Sequence, residues 1–159
     1  MISFLHTAGV HVATFDAVLD ELAPGMARQH RVEAGWLERA RDEGLSSQLT
    51  ETIASTMAAL AAGGVGVCTC SSIGAAAEAA AEPGAPVIRV DRALMEAGLQ
   101  HGARPLIAMC LESTRAATLN LLDDTALKAN VPVEPKVLMC EGAWSHFEAG
   151  DVASYAEAI

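Results

Sequence analysis

Short apolar runs alternate with stretches of helical periodicity along this chain, and that alternation constrains the fold more than any other feature. Ile2–Leu5, Val65–Cys70, Pro86–Val90, Pro105–Leu111 and Lys136–Cys140 are runs of strand length, and Gln29–Glu33 is a weaker one. Between them lie segments with apolar residues three and four apart. Phe15, Val18, Leu19 and Leu22 share one helix face, with Thr14 placed to cap it and Pro24-Gly25 to end it. Leu49, Ile53, Met57 and Leu60 define a longer helix over Ser47–Ala62 that stops at Gly63-Gly64. A short helix is expected over Trp36–Arg41, an Ala-rich one over Ala75–Ala81 ended by Pro83-Gly84, and one over Arg92–Leu99 capped by Asp91. After a linker at Gln100–Arg104 the pattern restarts: a strand, a turn at Glu112-Ser113-Thr114, a helix over Arg115–Asn130, a strand, and a last helix from Asp151 to Ile159. Strands buried on both faces and joined through helices make parallel sheets. The expectation is an α/β chain of two similar flavodoxin-like lobes, residues 1–100 and 101–159. The second lobe, with two strands against four, is incomplete.

Composition narrows the function. With 52% hydrophobic and 19% charged residues the chain has a core to bury and is not intrinsically disordered. Its formal charge of −10 and the absence of a Lys/Arg run leave no positive field for a phosphate backbone or an anionic membrane. Neither nucleic acid nor membrane is an expected partner. The aromatic content of 4% and heavy Ala usage suit helices packed closely on a sheet. Met1–His6 lacks a basic leader, and the apolar stretch Met57–Val67 falls short of the roughly 20 residues of a membrane helix. Four cysteines, Cys68, Cys70, Cys110 and Cys140, without a secretory signal read as reduced thiols of a cytoplasmic protein.

Ligands of open parallel sheets bind beyond the carboxyl ends of the strands, where helix N-termini offer free N–H groups. The candidate positions are His6-Thr7, Cys68–Ser72, Glu112-Ser113-Thr114 and Glu141-Gly142. The richest is Val67-Cys68-Thr69-Cys70-Ser71-Ser72, which places a thiol and two hydroxyls at a strand-to-helix turn. A helix N-terminus stabilises a thiolate and lowers a thiol from its usual pKa of about 8.5. Such a thiolate can act as base or nucleophile while hydroxyls and amides hold a carboxylate. The same small residues also line tight turns simply because they fit, and Cys is often a buried apolar residue. Cys68-x-Cys70 lacks two further ligands with zinc spacing, so no metal is expected. His6 and His11 could be ligands, proton shuttles or local hydrogen-bonding groups, and Glu112 and Glu141 read most simply as solvated loop acids. Gly63-Gly64-Val65-Gly66 precedes its strand and is therefore not a phosphate loop.

The order of elements and the run Gly64-Val65-Gly66-Val67-Cys68-Thr69-Cys70-Ser71-Ser72 resemble the aspartate/glutamate/hydantoin racemase superfamily, which includes arylmalonate decarboxylase and maleate isomerase. The resemblance spans nearly the whole chain. It sets Cys70 on the family's first catalytic cysteine, Ser71 on its Asn and Ser72 on its Thr; a shift by two would choose Cys68 instead. Thr7 lies where the family's first strand ends on substrate, and Ser113-Thr114 resembles the hydroxyl pair after the second lobe's first strand. The resemblance implies a cofactor-independent racemase or isomerase. Cys70 would act as acid/base beside the carboxylate of an amino acid or related small acid, held by Thr7, Ser71, Ser72, Ser113 and Thr114. Inversion needs a second base on the other face; Cys140 is the available partner, though Cys140-Glu141-Gly142 lacks the family's following Thr and comes one strand early. The family's closing strand and last helix have no counterpart here. The alternatives are a decarboxylase of the same superfamily or a non-catalytic carboxylate-binding protein, and the sheet edge left open favours a homo-oligomer.

Overall fold

A computed structural model of the chain describes residues 1–81 and 86–159. It divides into two compact units, Met1–Asp91 and Arg92–Ile159.

The first unit runs β1 (Ile2–His6), α1 (Val10–Leu22), β2 (Arg28–Val32), α2 (Ala34–Glu43), α3 (Ser47–Ala61), β3 (Val65–Cys68), α4 (Ser71–Glu78) and β4 (Val87–Arg89). Its four strands are parallel in the order β2-β1-β3-β4, so this is the expected α/β architecture. The register sets Leu5 beside Cys68 and Phe4 between His30 and Val67. Side chains alternate across a strand, and β1 therefore serves two faces. Leu5 points into the main core with Trp36, Leu49, Ile53, Met57, Cys68, Ile73, Ala76 and Ala77, under α2, α3 and α4. Phe4 and His6 point the other way, where Phe15 of α1 packs against both rings at centroid distances of 5.1 and 5.7 Å.

Two glycines let the backbone come this close. A Cβ at Gly64 would sit 2.1 Å from the Met1 carbonyl oxygen, so only glycine allows the chain to turn beside Met1 as it enters β3. A Cβ at Gly74 would lie 2.6 Å from the guanidinium carbon of Arg89, a buried cation that α4 covers. Arg89 donates to both carboxylate oxygens of Asp91 at 2.7 Å and pairs with Glu78 at 3.5 Å.

The second unit opens with α5 (Val90–Gln100), whose first residues lie on the other side of the division. Then come β5 (Leu106–Met109), a 3-10 turn (Glu112–Thr114), α6 (Arg115–Ala129), β6 (Lys136–Met139), α7 (Ala143–Glu148) and α8 (Val152–Glu157). β5 and β6 form a parallel two-stranded sheet. Met95 and Leu99 of α5 pack with Leu121, Leu122 and Ala126 of α6, and Arg92 reaches Asp124 at 2.7 Å. α5, placed by sequence within the first lobe, thus shares its core with α6.

Several local expectations are corrected. α1 begins five residues before Phe15, at Val10, so Thr14 is inside the helix and its hydroxyl donates back to the Val10 carbonyl at 3.2 Å. α3 starts at Ser47 as expected, capped by Ser46, whose side chain accepts from the Leu49 amide. Asp91 lies in the first turn of α5 and is taken up by Arg89 instead of capping. β3 ends at Cys68, which leaves Cys70 as the N-cap residue of α4. α7 was not foreseen; Gly142 opens it from a left-handed conformation at φ 81°. The expected stop at Pro83-Gly84 lies outside the described residues.

Candidate functional site

In the first unit the chain leaves β1 outward on one side to β2 and returns across it to β3 on the other. The strand order reverses between β1 and β3, and a crevice beyond the carboxyl ends of strands forms at such a point. Two of the expected segments lie there: His6 ends β1 with Thr7 following it, and Thr69–Ser72 follows β3. A backbone bond ties them, the Thr69 amide donating to the Leu5 carbonyl at 3.1 Å. Thr7, Cys70, Ser71 and Ser72 therefore occupy neighbouring strand ends.

The two cysteines of this turn differ in environment. Cys68 is 1% exposed, lies in the main core, and burial pushes its thiol up to about 12. Its Sγ–H donates to the Cys70 carbonyl at 3.6 Å. Cys70 is half-buried, has extended backbone angles and packs against the edge of the same core at the start of α4. Ser71 and Ser72 are the first two residues of the helix; among the described residues, the buried Ser72 hydroxyl has no hydrogen-bond partner. All four cysteines are free thiols.

Sequence reasoning gave His6 several possible roles and passed over His30 and Asp16. His6 is 0% exposed and both its ring nitrogens are engaged: Nδ1 lies 2.8 Å from Thr69 Oγ1 and Nε2 2.9 Å from His30 Nδ1. His30 Nε2 in turn lies 3.3 Å from Asp16 Oδ1, and Asp16 is held by the Arg28 guanidinium, which also reaches Asp20 at 2.8 Å. Burial, then the neighbouring His30 and His11, lower His6 to about 4; burial alone lowers His11. Partial burial of Asp16 is outweighed by Arg28 and His30, which hold the carboxyl below its ordinary range. Phe4 stacks on His30 at 4.9 Å, and the His6 and His30 rings are near-parallel at 5.2 Å. The available signal was parity: a histidine in β2 at the register of Phe4 lies on the same sheet face as His6.

In the second unit, Ser113 is exposed within the 3-10 turn beyond β5, and the Thr114 hydroxyl is used locally, donating to the Leu111 carbonyl at 2.8 Å. Cys140 is buried just beyond β6, its amide bonded to the Met109 carbonyl at 2.9 Å. Cys110 donates to the Tyr155 hydroxyl at 3.5 Å; burial and that bond raise the phenol to about 12. Glu112 is exposed and paired with Arg115. Among the described residues no group of three or more His, Cys, Asp or Glu could hold a metal ion, and no helix is long and apolar enough to cross a membrane.

No protein-family pattern matches the chain, and no curated protein matches it in sequence. Its fold is shared with a solved structure, the aspartate racemase of Picrophilus torridus, at a TM-score of 0.67 and 10% identity, over 99% of this chain and 72% of that one. The likeness extends to the smaller second unit and is one of fold.

Proposed function

We propose that the chain is a cofactor-independent isomerase of the racemase type, working beside the carboxylate of an amino acid or related small acid. The observation that carries this reading is that Thr7 follows β1 and Cys70–Ser72 follow the neighbouring β3, where the strand order reverses, in a fold shared with an aspartate racemase. The amides opening α4 and the Ser71 and Ser72 hydroxyls would donate to the substrate carboxylate, and the Ser72 hydroxyl, without a partner among the described residues, suits that role. The Cys70 thiolate would take the α-proton, leaving an enediolate whose charge the same donors offset; return of a proton from the thiol gives exchange, and inversion needs an acid that protonates the opposite face. The burial of Cys68 in the main core, with its thiol pushed up to about 12, favours Cys70 over it for that work.

The packing of Cys70 against the core favours a second reading, a carboxylate-binding module without turnover. Proton NMR in deuterated water, following α-proton loss from amino acids, hydantoins and substituted malonates, tests both. Exchange that disappears in a folded Cys70→Ala variant establishes the thiol base and the substrate class. Binding without exchange in either protein establishes the module.

A further inference from the structure

We infer that Thr69, His6, His30 and Asp16 form a proton relay joining the cysteine turn to solvent at the α1–β2 surface, with the Thr69 hydroxyl as its inner terminus. The contacts run without a gap from Thr69 Oγ1 to His6 (2.8 Å), to His30 (2.9 Å), to Asp16 (3.3 Å). The inner end is flanked by Cys68 and Cys70, and the outer end, Asp16, is 37% exposed at its side chain. His6 is fully buried and, among the described residues, its two ring nitrogens are bonded only within this chain of contacts, so its protons move through Thr69 on one side and His30 on the other.

The donors and acceptors fit two states that differ in the direction of every bond along the chain. With Asp16 ionised, His30 donates from Nε2 to Asp16 and accepts at Nδ1 from His6 Nε2–H, and His6 accepts at Nδ1 from the Thr69 hydroxyl. In the other state Asp16 is protonated and donates to His30 Nε2, His30 Nδ1–H donates to His6 Nε2, and His6 Nδ1–H donates to Thr69 Oγ1. The Thr69 hydroxyl then needs a different acceptor, and the Leu5 carbonyl stands 3.3 Å away. The hydroxyl thus has one partner for each state.

A proton arriving at Thr69 Oγ from the turn displaces the hydroxyl proton to His6 Nδ1. His6 passes its Nε2 proton to His30 Nδ1, and His30 passes its Nε2 proton to Asp16. One proton enters and one reaches Asp16, where it exchanges with water; the reverse sequence delivers one inward and restores the first state. His6 carries no net charge at either endpoint, as its burial demands. The groups facing the rings are Phe4 from β1, His11, Phe15 and Asp16 from α1, Arg28 at the outer end from β2, and Thr69 beyond β3. As a route for the reacting proton this rests on the function proposed above; as a hydrogen-bonded relay it stands without it.

Two measurements on the full chain keep those failures apart. Long-range proton–nitrogen NMR of the histidine rings reads the tautomers directly. At neutral pH His6 is expected as the Nε2–H tautomer, changing to Nδ1–H or a mixture in Asp16→Ala, although Asp16 does not touch it. A His6 tautomer unmoved by Asp16→Ala overturns the relay whatever the activity. In the α-proton exchange assay, Asp16→Asn and Thr69→Val are each expected to slow exchange by about tenfold or more, with Asp16→Asn leaving KM unchanged. Exchange lost in Cys70→Ala but intact in Asp16→Asn overturns the relay and keeps the thiol base. If no substrate exchanges with the unaltered protein, the function fails and the tautomer response alone decides the relay.

Discussion

Cys68 and Cys70 stand two residues apart, yet one lies inside the core and the other caps a helix. Reactivity is expected to divide them: with limiting iodoacetamide on the native protein at pH 8, peptide mapping should find Cys70 modified at least about tenfold faster, Cys68 reacting only after unfolding. Equal labelling would mean that the turn opens. His6 leads to a pH prediction. Its folded pKa, about 4, lies below the 6.5 of an exposed histidine, so between those values the unfolded chain binds the additional proton. Stability is therefore full above about pH 6.5 and falls as pH drops towards 4, by up to about 3 kcal/mol, and His11 acts in the same direction. Urea midpoints at pH 7 and pH 5 should differ accordingly, and the difference should shrink in His6→Gln. Parity explains why His6 was legible as polar at a strand end while its partners were not. His30 becomes informative only when β2 is known to lie beside β1 with Phe4 opposite His30.

At the scale of elements, the entry to β3 depends on a close backbone approach. Gly64→Ala would drive a Cβ to 2.1 Å from the Met1 carbonyl, displacing the bond from the Val65 amide to that oxygen. The expected cost is about 3 kcal/mol or more by urea denaturation, against a small effect for Gly98→Ala in α5, where an added Cβ would meet nothing within 4 Å among the described residues. α6 ends the other way, with Asn130 left-handed at φ 54°. Asn130→Gly should leave stability unchanged or raise it slightly, and Asn130→Val should cost about 1–2 kcal/mol. The helix faces were readable because Leu49, Ile53 and Met57 recur at helical spacing, and those three are buried on α3. Helix starts were less readable. α1 begins at Val10 without a side-chain cap, so Thr14 offered a capping signal that the chain does not use.

At the scale of the molecule, the two units differ in what they bury. Residues 1–91 hold a complete four-stranded sheet and the larger core, and residues 92–159 hold two strands and a cluster of five buried side chains from α5 and α6. Produced separately, the first piece is expected to unfold cooperatively and the second to show little or no cooperative transition, since two strands with a small core are marginal in water. Circular dichroism with urea titration of both pieces checks this.

The amino-acid order alone determined the alternating α/β plan, the six strands, and the placing of Thr7, Cys70, Ser71 and Ser72 at strand ends. Each of these follows from local periodicity, from residues that break helices, and from the rule that parallel strands need crossovers. Tertiary structure decided which strands neighbour one another, and with that the reversal between β1 and β3 and the contact of His6 with His30 and Thr69. Strand order is a long-range property. It is set by which helix faces the sheet can bury together, and no stretch of sequence a few residues long carries it.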